Sequence, residues 1–355
     1  MKITTLYVYP IKGLRGIEVQ QAQIGPQGVR YDRHFMLYEV RQPSGELKKV
    51  QLDSHPKCAL FEQRITADGA SVTVCYHSPP GGNPDSATLA VPLEPDVASL
   101  EKITIDLHGS TAGAYSMGAN FDEWFSARFG VPVRFVYIGD GKRAVLGNTL
   151  PPKQTQSESP AAQLQGGSGG WLSSLTSYVT GSSAQSAAAS NKPWITFTDV
   201  APLLVASESS LKDVNARLPE EDRPMPMYKF RPNVVVDGEG EDAWAEDFWA
   251  ELTIRAEAEK EKKEHKLLLT GNCVRCTSLN VDYKTGKPAV GEMGNVLKKL
   301  MKDRRVDTGS KWSPVFGRYA FLSGGQDEHY TLSVGDEVKV TKRNTERTVW
   351  DWPGL

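Results

Sequence analysis

Glycine and proline cut this chain into short pieces, and that punctuation limits its fold more than any other feature. With 32 Gly and 22 Pro in 355 residues, few stretches are long enough for extended helices, and turns must be frequent. The pieces between turns read as strands. "KITTLYVYPI" opens the chain, "DRHFMLYEV" follows, and "GASVTVCYH" alternates with period two. "FRPNVVVDG" has the continuous apolar run of a strand buried on both faces, and "PVFGRYAFL" and "YTLSVGDEVKVTKR" complete the set. Three segments predict helices: "NFDEWFSARFGVP", with Asn120 and Glu123 at capping-box spacing and a stop at Gly130, then "SSLKDVNARLP", then "GNVLKKLMKDRR". Scattered strands with few helices predict an α+β, mainly β, barrel-like protein.

Residues 151–192 depart from this pattern. Serine, glycine, alanine and glutamine dominate there, so the segment predicts a flexible insertion. Within it Trp171, Leu172, Leu175, Tyr178 and Val179 share one helical face, but the basic residues of a membrane anchor are missing, so membrane contact through 171–179 is the weaker reading. "RAEAEKEKKEHK" predicts a solvated hairpin loop or helical extension. The net charge of −2 gives no pull toward nucleic acid. No apolar run has membrane-spanning length and no targeting pattern opens the chain, so the expectation is a soluble, cytoplasmic protein, with mitochondrial association left open.

The four cysteines are too few for a disulfide scaffold. Cys58 and Cys75 lie in strand-like contexts and read as inert core residues. Cys273 and Cys276, in "GNCVRCTSLNVDYKTG", leave several alternatives. Structural zinc needs four ligands, and neither the distant cysteines nor the six histidines, which form no HxxxH pair, complete a set. A redox dithiol needs a helix N-terminus, whereas this pair runs into a strand pattern. What remains is two core cysteines, the simpler reading by spacing, or one thiolate bound to a soft metal that is held mainly by something else, with Arg275 favouring the thiolate.

Basic residues at strand ends bear on that choice. Lys12, Gly13 and Arg15 form a glycine-containing turn after Pro10, suited to a phosphate. Period-two counting puts Arg33 on the face of Phe35 and Leu37, where it needs Asp32, Glu39 or a bound anion as partner. Arg231, just before "VVV", raises the same question.

Taken in order, "YPIKG", "YDRHFMLY", "FTDVAPLLVASESSLKDVNARL", "FRPN", "CVRCTSLNVDYKTG" and "SPVFGRYAFL" resemble the MOSC family, and within it the amidoxime-reducing branch. The resemblance implies a MOSC-type β-barrel with a β-rich MOSC N-terminal region. It implies opening strands and a phosphate turn over 1–33, the N-terminal region over 34–145, the insertion over 151–192 and the barrel over 193–343. It also implies the molybdenum cofactor (Mo-molybdopterin), with Cys276 as metal ligand and catalytic residue and Cys273 as a neighbour only. Lys12, Gly13, Arg33, Asp199, Val200, Arg231, Val274 and Tyr319 match further cofactor contacts, those of Gly13 and Val200 through backbone, while Asn233 would order the loop. The implied reaction is reduction of small N-hydroxylated substrates. Electrons would come from a cytochrome b5-type haem protein and an NADH-dependent flavin reductase, because the sequence has no GxGxxG fingerprint and no further cysteine cluster. The basic helix residues Lys298, Lys299, Lys302 and Arg305 offer one docking face for such a donor. A cofactor carrier without turnover and a sulfur-transfer protein are the alternatives, the latter normally requiring a pyridoxal-phosphate domain.

Overall fold

The computed structural model describes residues 1–147, 193–256, 263–324 and 329–353. Its largest sheet has eight strands, ordered in space Ile17–Val19, Ile3–Val8, Val234–Val236, Leu203–Ser207, Val315–Ser323, Glu264–Val274, Trp249–Arg255 and Glu337–Arg343. Neighbours run antiparallel except Leu203–Ser207 against Val234–Val236. A parallel pair needs a crossover, and the helix Glu208–Ala216 lies in that connection. The sheet curls until its last strand, Glu337–Arg343, meets the N-terminal end of Ile3–Val8. Lys2 bridges to Glu337, and the Val338 amide donates to the Met1 carbonyl at 2.8 Å. Closure of this kind hides strand edges.

Side chains fill the barrel as the alternation requires. Val205, Val234, Trp249, Leu252, Leu267 and Leu269 pack inside. Val235 points the other way, onto Phe230, Leu300 and Phe316, which is why the "VVV" run is apolar on both faces.

Residues 35–137 build a second β-rich region. A five-stranded sheet is ordered Glu101–Leu107, Ser110–Ser116, Val133–Tyr137, Phe35–Val40, Leu47–Lys49, and a meander runs Phe61–Ile65, Ser71–Tyr76, Thr88–Pro92. Phe35, Phe61, Phe125, Phe129 and Phe135 pack with Cys58 in its core. Cys75 is only half-buried. The protein is thus mainly β with few helices.

Several local expectations need correction. The helix Ala119–Phe129 is capped by Gly118 at φ 97 with no side-chain cap, so Asn120 lies inside it. Its carboxylate Asp122 instead accepts the Phe135 amide at 2.7 Å, which ties the helix to the sheet. The expected helix over "GNVLKKLMKDRR" is regular only at Val296–Leu300. Arg304 must leave the helix because its guanidinium is buried on Asp247, at 2.7 and 3.0 Å. Lys298, Lys302 and Arg305 are exposed, while Lys299 pairs with Glu292 at 2.5 Å. In the charge run, Arg255 pairs in register with Glu264, as a hairpin requires. Residues 257–262 between them, and the whole 151–192 segment with its 171–179 face, lie outside the described residues.

Candidate functional site

The opening strand ends at Pro10, and the chain turns through Ile11–Leu14. The Lys12 amide is spent on the Phe35 carbonyl at 2.8 Å. Gly13 adopts φ +90, where an L side chain is strained. Arg15 turns away from this bend and clamps the carbonyls of Ala59 and Tyr283 at 2.5 and 2.6 Å. It is a structural tie.

Arg33 is not on a strand. It precedes Phe35–Val40 in the left-handed region, at φ 54, so alternation does not place it. Its partner is the fully buried Asp32, whose other oxygen accepts the Tyr9 amide at 2.8 Å. Arg231 is left-handed too, at φ 57, and donates to the Leu14 carbonyl at 2.8 Å. Both guanidinium carbons lie over the Tyr9 ring, 4.6 and 4.5 Å from its centroid. One tyrosine therefore supports two guanidinium groups. Asn233 accepts from the Leu204 amide at 3.1 Å and from Arg33 at 3.3 Å, and donates to the Tyr7 carbonyl at 3.3 Å, which orders the loop between them.

Lys12 reaches across to Asp199, Nζ to Oδ1 at 2.5 Å. Burial pulls the ammonium down to about 8, against the opposing attraction of Asp199. Burial would raise the Asp199 carboxyl, but Lys12 and His108 outweigh it and hold it well below the usual range. The Asp199 side chain remains 42% exposed, open to the cleft. His108 lies 3.2 Å from the same oxygen through Nε2, and 2.9 Å from Lys49 Nζ through Nδ1.

The cysteine pair divides cleanly. The strand Glu264–Val274 carries Cys273 inward to 3% exposure, where its sulfur accepts from Arg275 Nη1 at 2.8 Å. Arg275 also donates to the Phe230 carbonyl at 2.8 Å. The arginine expected to favour a free thiolate therefore hydrogen-bonds the buried sulfur. Cys276 starts the short turn Thr277–Asn280 and is exposed, its Sγ 3.2 Å from the Ser278 hydroxyl. Among the described residues no group of three or more His, Cys, Asp or Glu could hold a metal.

These elements meet around one cavity of about 300 Å³. Every residue singled out in the sequence as a cofactor contact lines it except Val200, whose side chain is buried beside Ile195, Ala201 and Leu204. Sequence reasoning missed Lys49, His108 and Trp350 in the wall. Trp350 comes from a C-terminal tail past the last strand, and Trp352 in that tail donates to the His108 carbonyl at 3.2 Å. The only signal was the "WDW" spacing. His108 hid in a hairpin turn.

The fold and cleft define a mainly β protein with a cationic pocket built from turns and one accessible thiol at its wall. A model of the MOSC N-terminal beta barrel domain matches residues 1–132, and a model of the MOSC domain matches residues 192–339. The chain belongs to the MOSC family. It is 23% identical to mouse mitochondrial amidoxime-reducing component 1 over 344 residues, covering 95% of this chain and 81% of that protein. It is 34% identical to human mitochondrial amidoxime reducing component 2 over 148 residues, 41% of this chain and 38% of that one. Among solved structures, a Bordetella bronchiseptica protein is 16% identical and covers 32% of this chain and 83% of its own, at a TM-score of 0.23, too slight a likeness to inform the fold. No described helix is long and apolar enough to cross a membrane.

Proposed function

We propose that the cleft binds the molybdenum cofactor and that the loaded protein reduces N-hydroxylated compounds, amidoximes among them, with electrons from a separate haem protein. The observation that carries this reading is one cavity holding both a cationic cradle and a lone exposed thiol, Cys276. The names of the relatives support the same reaction class.

The residues present fit such a group. Lys12, Arg33 and Arg231 line the cavity beside the left-handed turn at Gly13, and a phosphate oxygen suits such a set of charge-assisted donors. Lys12, Arg33, Arg231 and the Gly13 turn would hold the phosphate, and Cys276 would ligate the metal. Tyr319 and Val274 would flank the pterin. When bound, the cofactor supplies the two-electron change that N–OH reduction needs. The protein's own part is to bind, to orient the substrate beside Cys276, and to provide protons.

Cytochrome b5-type protein, reduced through an NADH-dependent flavin reductase, would be the donor. Exposed Lys298, Lys302 and Arg305 offer it a basic face, and rates that fall steeply with added salt would mark that steering. Protein from a cofactor-competent host should contain molybdenum and yield oxidised pterin. With NADH, reductase and haem donor it should convert benzamidoxime to benzamidine, and omitting the haem protein should nearly stop the reaction. Replete protein that stays inert with several donors would overturn the reductase reading in favour of a carrier.

Lys12 gives this binding a pH signature. With its folded value lowered to about 8, the empty cradle keeps the ammonium below that pH and loses it above. Phosphate-bearing ligands should therefore be held less tightly above pH 8, by up to about tenfold per pH unit. The affinity of the empty protein for the pterin phosphate should be lower at pH 9 than at pH 7, and Lys12→Met should remove the difference. Equal affinity in the wild type at both pH values would show that Lys12 does not face the bound anion.

A further inference from the structure

The strands Glu101–Leu107 and Ser110–Ser116 are joined by only His108 and Gly109, with Leu107 opposite Ser110. Both linking residues have positive φ, 59 and 77, the signature of a type I′ hairpin. Asn-Gly is the favoured pair for such a turn. A histidine held left-handed there is uncommon and costs conformational energy, so what its side chain does is the informative question.

The imidazole is buried and spans two charged groups. Lys49 Nζ stands 2.9 Å from Nδ1, and Asp199 Oδ1 stands 3.2 Å from Nε2. An ammonium has no lone pair, so Nδ1 must accept, and a neutral ring then carries its hydrogen on Nε2, aimed at Asp199. Lys49 is half-buried at the end of Leu47–Lys49, and the Asp199 carboxylate opens into the cavity. The four polar atoms form a continuous chain along the cavity wall, from Lys49 to Asp199.

We propose that His108 relays protons from Lys49 to Asp199 and so supplies the protons that reduction of an N–OH group consumes. The inference rests on the function proposed above. In that reaction the N–O bond breaks, one proton joins the departing hydroxyl to form water, one proton goes to nitrogen, and two electrons come from the donor protein. Each transfer moves one proton from Lys49 to Nδ1 while Nε2 gives its own to Asp199; water then restores the lysine, and exchange of the ring's proton with water returns it to the Nε2–H tautomer before the second transfer. Burial lowers the affinity of the His108 ring for a second proton, with Asp199 opposing and Lys12 and Lys49 reinforcing that fall, so the ring does not retain what it receives. Asp199, strongly acidic beside Lys12, likewise passes its proton on. His108 acts through Asp199 and is a positioning and relay residue.

His108→Asn tests this without harm to the turn, since Asn-Gly suits the type I′ geometry. The readout is single-turnover oxidation of dithionite-reduced, cofactor-loaded protein by benzamidoxime, which leaves the haem donor out. The variant should keep its molybdenum and its half-saturating benzamidoxime concentration, while the rate falls about 100-fold or more. Its solvent deuterium isotope effect should rise, and added imidazole should restore rate in the variant alone. Lys49→Met should slow the same step. A His108→Asn rate within twofold of wild type, a loss that imidazole does not relieve, or a variant that purifies without molybdenum would each overturn the relay. Replete wild type that does not oxidise would overturn the reaction and the relay together. Nitrogen-15 spectra of the ring are independent of turnover: an Nε2–H tautomer is expected, and Nδ1–H would overturn the wiring.

Discussion

Cys276→Ala protein should fold normally and lose all molybdenum-dependent turnover, whereas Cys273→Ala protein should be less stable yet keep most of it. The asymmetry follows from where the two sulfurs lie. Cys276 is exposed at the cavity wall and its removal takes only the partner of the Ser278 hydroxyl at the edge of the cavity, so the stability change should stay within about 1 kcal/mol. The metal, however, would lose its one protein thiolate. Cys273 is buried, and its sulfur accepts from Arg275 Nη1. Alanine there strands a buried guanidinium hydrogen, at a cost of about 1–3 kcal/mol. Thermal melts and molybdenum content of the two variants, measured beside benzamidoxime turnover, check both halves. Equal loss of activity with equal loss of metal would defeat the single-ligand assignment and restore a dithiol.

Arg33→Ala should be the most destabilising of the site substitutions, and Arg231→Ala should spare the fold while weakening cofactor retention. Arg33 is the ion-pair partner of Asp32, which has no solvent exposure. Removing it leaves a buried carboxylate with only the Tyr9 amide and should cost about 3–5 kcal/mol. Adding Asp32→Asn should recover part of that loss, because a neutral amide tolerates burial. The rescued double variant should still release cofactor more readily than wild type, since the donor to the phosphate is gone. Arg231 strands no carboxylate. It contacts the Leu14 carbonyl and the Tyr9 ring rather than an acidic group, so its loss should register in pterin content more than in the melting curve. Full cofactor in both Arg33→Ala/Asp32→Asn and Arg231→Ala would make these arginines structural partners only.

Much of this architecture was legible because its causes are local. Glycine and proline spacing made the strands short, period-two alternation marked their faces, and the "VVV" run announced a strand covered on both sides. The motif residues Lys12, Gly13, Arg33, Asp199, Arg231, Val274, Cys276 and Tyr319 could be named before any coordinates, and the fold gathers them around one cavity. Sequence also separated residues 151–192 from the rest by composition alone.

What failed was whatever depends on partners far along the chain. Alternation put Arg33 on a strand; its Asp32 partner was among those foreseen, but contacts to Tyr9 and Asn233, distant in sequence, accompany that pair in a left-handed turn. The helix after Asn295 ends early because Asp247, from a distant turn, captures Arg304. Arg275 sits between two cysteines in sequence, yet only the inward path of strand Glu264–Val274 shows that it hydrogen-bonds Cys273 and leaves Cys276 exposed. His108 and Lys49 carry no motif, and Trp350 only the "WDW" spacing. Local propensity and periodicity fix which stretches become strands and turns, since those depend on neighbours in the chain. Which side chains then share a buried, low-dielectric space is settled by packing across hundreds of residues, and the charges, donors and thiol of this site take their chemical character from that packing.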